Sequence, residues 1–147
     1  MSTLASHFRP DSWNLPLLLH VLGAMVLVGA AAIGSTASLA AGRSGDGEFL
    51  RRVAFRSFLL VALPAYIVMR VGAEWLYSKF PDDADDPTWI GIGYIAADLG
   101  ALILLVTLIL SGLAVRRGGR LAQIAGIISL IAVLGWLVAV WAMSGKP

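Results

Sequence analysis

Four long apolar runs, set apart by three short polar interruptions, make up most of the 147-residue chain. They cover residues 16–40, 55–77, 89–115 and 121–143. Each reaches the roughly 20 helical residues needed to cross a hydrocarbon core of about 30 Å. None alternates with the period of two that a barrel strand requires. Helices are then the expected element, because lipid offers no partner to a free backbone group. The pattern predicts an all-α fold, an integral membrane four-helix bundle with residues 1–147 as a single transmembrane domain.

Composition favours the membrane over a soluble core. Hydrophobic residues are 59% of the chain and charged residues 14%, far from the soluble average. The net charge is +2, so nothing resembles the basic footprint of a nucleic-acid binder. There is no cysteine, which excludes disulfides, thiolate metal sites and cysteine catalysis. His7 and His20 are the two histidines, too few for a multi-histidine metal site within one chain.

Local signals refine the helices. In Asp11-Ser-Trp-Asn-Leu-Pro16, Asn14 is expected to cap the first helix, Pro16 to sit in its first turn and Trp13 to lie at headgroup level. Ser38-Leu39-Ala40 has the small-residue spacing of a signal-peptide cleavage site. The apolar run is too long and its N-terminal flank too weakly basic for a signal peptide, so the first span is expected to remain. Pro64 cannot donate to the Leu60 carbonyl, which predicts a kink in the second span. Small residues recur at helical spacing: Gly23, Ala30, Gly34 and Ser38; Gly93, Ala97 and Ala101; Ala122, Gly126, Ser129, Ala132 and Gly135. Such faces let backbones approach closely, within one chain or across a homodimer or a seam with another membrane subunit.

Basic residues set the orientation. Arg43, Arg51, Arg52 and Arg56 follow the first span, and Arg116, Arg117 and Arg120 follow the third. The second loop carries Lys79 against Asp82, Asp83, Asp85 and Asp86. The positive-inside rule places both basic loops in the cytoplasm and both termini, with the acidic loop, outside a multi-pass cell-membrane protein. The four loop aspartates are a weak metal candidate, since the glycine and fixed spacing of a calcium loop are missing. There is no nucleotide-binding glycine fingerprint, nucleophile elbow or HExxH motif.

The charges inside the spans are the candidate chemistry. Arg70 and Glu74 lie in the second run and Asp98 in the third. Asp98 is nine residues inside Trp89, roughly 13 Å at the helical rise. Arg70 is seven residues inside Tyr77, and His20 seven inside Trp13, each roughly 10 Å. His20, Arg70 and Asp98 are thus expected in one slab of the outer leaflet. Tyr66 and Tyr94 stand one turn from Arg70 and Asp98, and Glu74 lies shallower. Ionisable groups at that depth are costly and mark a site by default. The readings are a structural Arg70–Asp98 ion pair, a ligand or proton-relay pocket, or snorkelling. His20 is expected to bond to Asp98 or Glu74. Its own face, with Gly23, Leu27, Ala31 and Gly34, leaves room for a flat ligand or for a close helix.

The segment Leu19-His-Val-Leu-Gly-Ala-Met-Val-Leu-Val-Gly29 resembles the first helix of the copper-resistance D group, of related uncharacterised integral-membrane proteins and of HemJ-type protoporphyrinogen oxidases. That resemblance implies a haem-proximal role for His20. Copper is not supported, because Met25, Met69 and Met143 show no clustered ligand spacing. The four-span layout, with Val71-Gly-Ala-Glu-Trp75 and Trp89-Ile-Gly-Ile-Gly-Tyr94, is similar to uncharacterised actinobacterial membrane proteins and implies no activity. Three functions follow as expectations. The first is a polar ligand-binding or redox-accessory site, with haem as candidate cofactor. The second is a proton- or ion-conducting component. The third is a structural or partner-binding subunit.

Seven of the eleven Lys and Arg residues lie at the two basic loops, which makes the orientation testable. Single cysteines at Ser2→Cys and Ser144→Cys are expected to react with an impermeant maleimide added to intact cells, and Ser44→Cys to stay unlabelled. Labelling of Ser44→Cys would invert the topology.

Overall fold

The computed structural model describes residues 11–43, 46–79 and 88–144, without the side chains of Trp89 and residues 142–144. Every regular element among them is helical. A single 3-10 turn, Asp11–Trp13, leads into α1 (Asn14–Ala40). Helix α2 (Gly47–Ser57) continues through a π-helical stretch, Phe58–Ala62, into α3 (Leu63–Tyr77). Helices α4 (Thr88–Arg117) and α5 (Gly119–Ser144) complete the described chain. Four helical rods are long and apolar enough to cross a membrane, with α2, the π stretch and α3 forming one of them.

Two local expectations change. Asn14 does not cap α1: Trp13 takes the cap position without a side-chain bond, and the Asn14 amide donates to Asp11 Oδ1 (3.4 Å). The 3-10 turn already continues the helical path backwards, so no extended cap residue is needed. The second span starts at Gly47 rather than at residue 55. Arg51, Arg52 and Arg56 are good helix formers, and Arg52 pairs with Glu48 one turn away. Apolarity alone marked the lipid-crossing part and missed this polar extension.

Pro64 acts on the turn before it. Proline has no N–H, and its ring crowds the carbonyl four residues back. The helix responds by widening, and the Leu63 N–H bonds to the Phe58 carbonyl five residues back. The expected disturbance therefore takes the form of a π turn within a continuous helix. This turn carries Phe58, which is fully buried, onto Gly34 of α1. A Cβ at Gly34 would lie 2.5 Å from the Phe58 ring.

The core is built from small residues and the outside from large ones. Ala30, Ala31, Ala54, Ala62, Ala65, Ala122, Ala125 and Ala132 are buried, joined by Leu27, Phe58, Leu104 and Trp136. Outward faces carry Met25 (70% exposed), Ile95 (69%), Leu60 and Val138. That inversion suits helices whose surroundings are as apolar as their side chains, where association comes from close packing rather than apolar burial. Hydroxyls follow the same rule: Ser57 Oγ donates across to the Ala30 carbonyl (2.8 Å), and Ser35 Oγ back to the Ala31 carbonyl (2.7 Å).

The small-residue faces are legible in α1 and most of α5 but shifted in α4. Ser38, Ala122 and Ser129 are buried, and Gly126 lies against Leu39 and the Ser35 carbonyl. Gly135 meets nothing within 4 Å, because Trp136 takes the inward position there. In α4 the buried line is Gly100, Leu104, Thr107, Ser111 and Ala114, while Gly93, Ala97 and Ala101 are only partly buried. Gly100 makes room for the Trp136 indole.

The four rods form a ring. Helix α1 packs on α2, α3 and α5, and α5 packs along α4. Only Gly118, with φ +105°, separates α4 from α5, a conformation glycine adopts without strain. The ring closes where α2 meets α4, with Phe55 against Gly112. Towards the Tyr77–Thr88 end, here called the acidic end, α3 and α4 draw apart and their backbones scarcely meet. Arg43, Arg116, Arg117 and Arg120 belong to the opposite, basic end, where Gly119 approaches Gly42.

Helices α1 and α3 make the closest crossing. A Cβ at Gly23 would lie 2.6 Å from the Met69 nitrogen, and one at Gly72 would lie 2.5 Å from the His20 nitrogen. Both obstacles are backbone, so neither can swing aside. Gly23→Ala and Gly72→Ala should each destabilise the fold by about 1–3 kcal/mol through overpacking. Gly29→Ala, which meets nothing within 4 Å, should be neutral or slightly stabilising. Thermal unfolding of the three variants in one detergent checks the order.

Candidate functional site

Where α3 and α4 separate, side chains span the gap. Helix α3 runs towards the acidic end and α4 away from it, so Tyr66, Arg70 and Glu74 climb one helix in successive turns. Asp98 and Tyr94 climb the other. Spacings of four keep each set on one face. The turn-by-turn match is what allows a series of cross-helix contacts.

Arg70 is the hub. Its Nη1 lies 3.0 Å from Asp98 Oδ1 on α4, and its Nε lies 3.1 Å from Glu74 Oε1 one turn along α3. The expected Arg70–Asp98 contact is therefore made, and the Glu74 contact with it. The Arg70 guanidinium carbon stands 4.8 Å from the centre of the Tyr94 ring, within cation–π range. Tyr94 closes the circuit by donating its hydroxyl to Glu74 Oε2 (3.1 Å). One turn deeper, the Tyr66 hydroxyl donates to the Ala97 carbonyl (3.3 Å). At the rim, Tyr77 meets Tyr94 edge to face with ring centres 5.7 Å apart.

Burial is graded across this seam. The Arg70 side chain is 28% exposed, Glu74 51% and Asp98 66%. The hub is inside and the carboxylates look outward. The expectation of a buried pair is corrected accordingly: α3 and α4 stand apart, so Asp98 reaches Arg70 from the open side. Leu102, one turn from Asp98 on the same face of α4, is exposed and apolar.

His20 belongs to a different contact. Its Nδ1 lies 3.2 Å from the Met69 carbonyl. A carbonyl only accepts, so Nδ1 is the donor in this bond. The expected bond to Asp98 or Glu74 is replaced, because the glycine crossing presses α1 onto the α3 backbone beside Met69. The same crossing settles what fills the small-residue strip beside His20. Met69 backbone takes the space at Gly23, and the Phe58 ring takes it at Gly34. A close helix occupies that strip, which leaves no slot along it for a haem.

His20 and the seam share the α3 segment Met69–Arg70 but face different partners. Sequence reasoning assembled Tyr66, Arg70, Glu74, Tyr94 and Asp98 as one group. It missed the carbonyls of Met69 and Ala97, which carry no side-chain signature. It also placed Tyr77 at the interface without its contact to Tyr94. Asp82, Asp83, Asp85 and Asp86, the weak metal candidates, lie outside the described residues. Comparison with protein-family models, with curated proteins and with solved structures finds no match to this chain.

The seam's strength is measurable as a coupling. Arg70 is only partly covered and Asp98 mostly exposed, so the 3–5 kcal/mol typical of breaking a fully buried pair is too large. An interaction energy of about 1–3 kcal/mol is expected from the Arg70→Ala, Asp98→Ala and double-variant cycle. Additive losses in thermal stability would show the pair to be uncoupled.

Proposed function

We propose that this is a multi-pass cell-membrane protein whose α3–α4 seam holds the polar group of a small ligand. The seam lies in the outer half of the bundle, with both termini outside. The basic residues at one end of the ring support that orientation. The single observation that carries the ligand reading is the charge balance at the seam. Residues 14–40, 63–77, 89–115 and 121–144 contain three Asp, Glu, Lys or Arg residues: Arg70, Glu74 and Asp98. All three meet in one place, with two carboxylates against one guanidinium. A structural pair needs one acid per base. The second acid, its exposure and the tyrosines around it suit a site that receives something from outside the helix ring.

A conduit fits less well. Leu27, Phe58 and Leu104 are buried in one apolar cluster with Ala30, Ala31 and Ala62, inside the helix ring. Homodimer or membrane-complex assembly remains compatible with the ligand reading and adds no residue to the seam.

The test is what the protein carries out of the membrane. Gentle extraction followed by native mass spectrometry should show a small molecule retained by the native chain and lost from Asp98→Asn. The absorption spectrum of the same preparation should show no Soret band. Identical ligand profiles for the native chain and Asp98→Asn would reject the seam as a site.

A further inference from the structure

We infer that the α3–α4 seam binds the cationic head of an amphiphile, an alkylammonium-type group, with its apolar tail lying along Ile67 and Leu102. The inference rests on the ligand-site reading above and adds the chemical class.

Charge selects the sign. With Arg70 shared between Glu74 Oε1 and Asp98 Oδ1, the seam keeps one negative charge in excess. His20 makes its bond elsewhere, to the Met69 carbonyl. An anion would have to displace a carboxylate from Arg70 and would face the other. A cation finds Asp98 two-thirds exposed and completes the neutralisation. The Tyr94 ring adds a π face beside the carboxylates, already used by the Arg70 cation.

Surroundings select the amphiphile. The exposed residues one turn from Arg70 and Asp98, Ile67 on α3 and Leu102 on α4, are apolar. A ligand reaching Asp98 past them passes through an apolar environment. The tail direction follows from the helix directions. Ile67 lies one turn further from the acidic end than Arg70, and Leu102 one turn further than Asp98. Both are exposed, at 53% and 59%. A head at Asp98 and Glu74 with a tail along Ile67 and Leu102 has the orientation of an outer-leaflet lipid: polar group towards the surface, chain towards the middle.

Tritiated dodecyltrimethylammonium, added below its micellar concentration to the full chain in zwitterionic-lipid nanodiscs, tests the inference. Empty discs give the partition background. Saturable binding above that background is expected, weakened roughly tenfold or more by removal of one carboxylate charge. Asp98→Asn and Glu74→Gln should both show the loss, and Asp98→Glu should bind within a few-fold of the native chain. Should Asp98→Asn fail to fold, Glu74→Gln decides, because it keeps an acceptor for the Tyr94 hydroxyl. Dodecylsulfonate and N-dodecylacetamide serve as competitors of the same length. If the sulfonate or the neutral amide displaces the probe as well as unlabelled ammonium does, or if both charge-removing variants bind normally, the cationic class is wrong while saturable binding still speaks for a site. If neither the ammonium nor its competitors bind saturably, the ligand-site reading falls with it.

Discussion

Arg70 is the only Lys or Arg among residues 14–40, 63–77, 89–115 and 121–144, and the arrangement of the acidic half of the bundle turns on it. Helices α3 and α4 do not pack backbone to backbone there. They are tied by a guanidinium that takes a carboxylate from each helix and lies over a tyrosine of one of them. An isolated charge among apolar side chains is too costly to persist; two acids and an aromatic face make this one tenable. Because the tie is made of side chains, the two backbones stay apart where it spans them.

The rest of the ring makes that gap possible. Gly23 and Gly72 bring α1 and α3 into backbone contact, Gly118 reverses the chain between α4 and α5, and the Pro64-induced π turn seats Phe58 on Gly34. These contacts fix two seams by shape alone, and Gly126 against Leu39 fixes a third, between α5 and α1. They leave the fourth to close at the basic end, through α2 and Phe55, and to splay at the other. Small residues inside and large apolar residues outside are the signature of helices that associate by fit. Charge is then needed only where fit runs out.

Much of this was legible in the chain. Length and hydropathy marked all four rods, since an unbroken apolar run of that size has few other uses. Arg70, Glu74 and Asp98 stood out because everything around them was apolar, and depth counted from aromatic markers placed Arg70 and Asp98 at one level with Glu74 shallower. What escaped has physical reasons. Helix α2 extends eight residues before the expected start because its arginines are good helix formers, although they are poor lipid crossers. The buried line of α4 runs through Gly100, Thr107 and Ser111 instead of Gly93 and Ala97, because a helix with apolar residues all round gives no periodic clue to its inner face. His20 bonds a backbone carbonyl, and a carbonyl is invisible to residue-type reasoning. The exposure of Asp98 depends on how far two helices splay, which local sequence does not encode.

The central claim is that the polar seam opens sideways onto the hydrocarbon of a bilayer. A cysteine-free chain suits a direct measurement. A nitroxide at Leu102→Cys, one turn from Asp98 on the same face of α4, is read by power-saturation electron paramagnetic resonance in liposomes. The account predicts relaxation by oxygen, which dissolves in hydrocarbon, and little by a water-soluble nickel chelate. Stronger relaxation by the nickel chelate than by oxygen would mean that the seam faces water, and would contradict it.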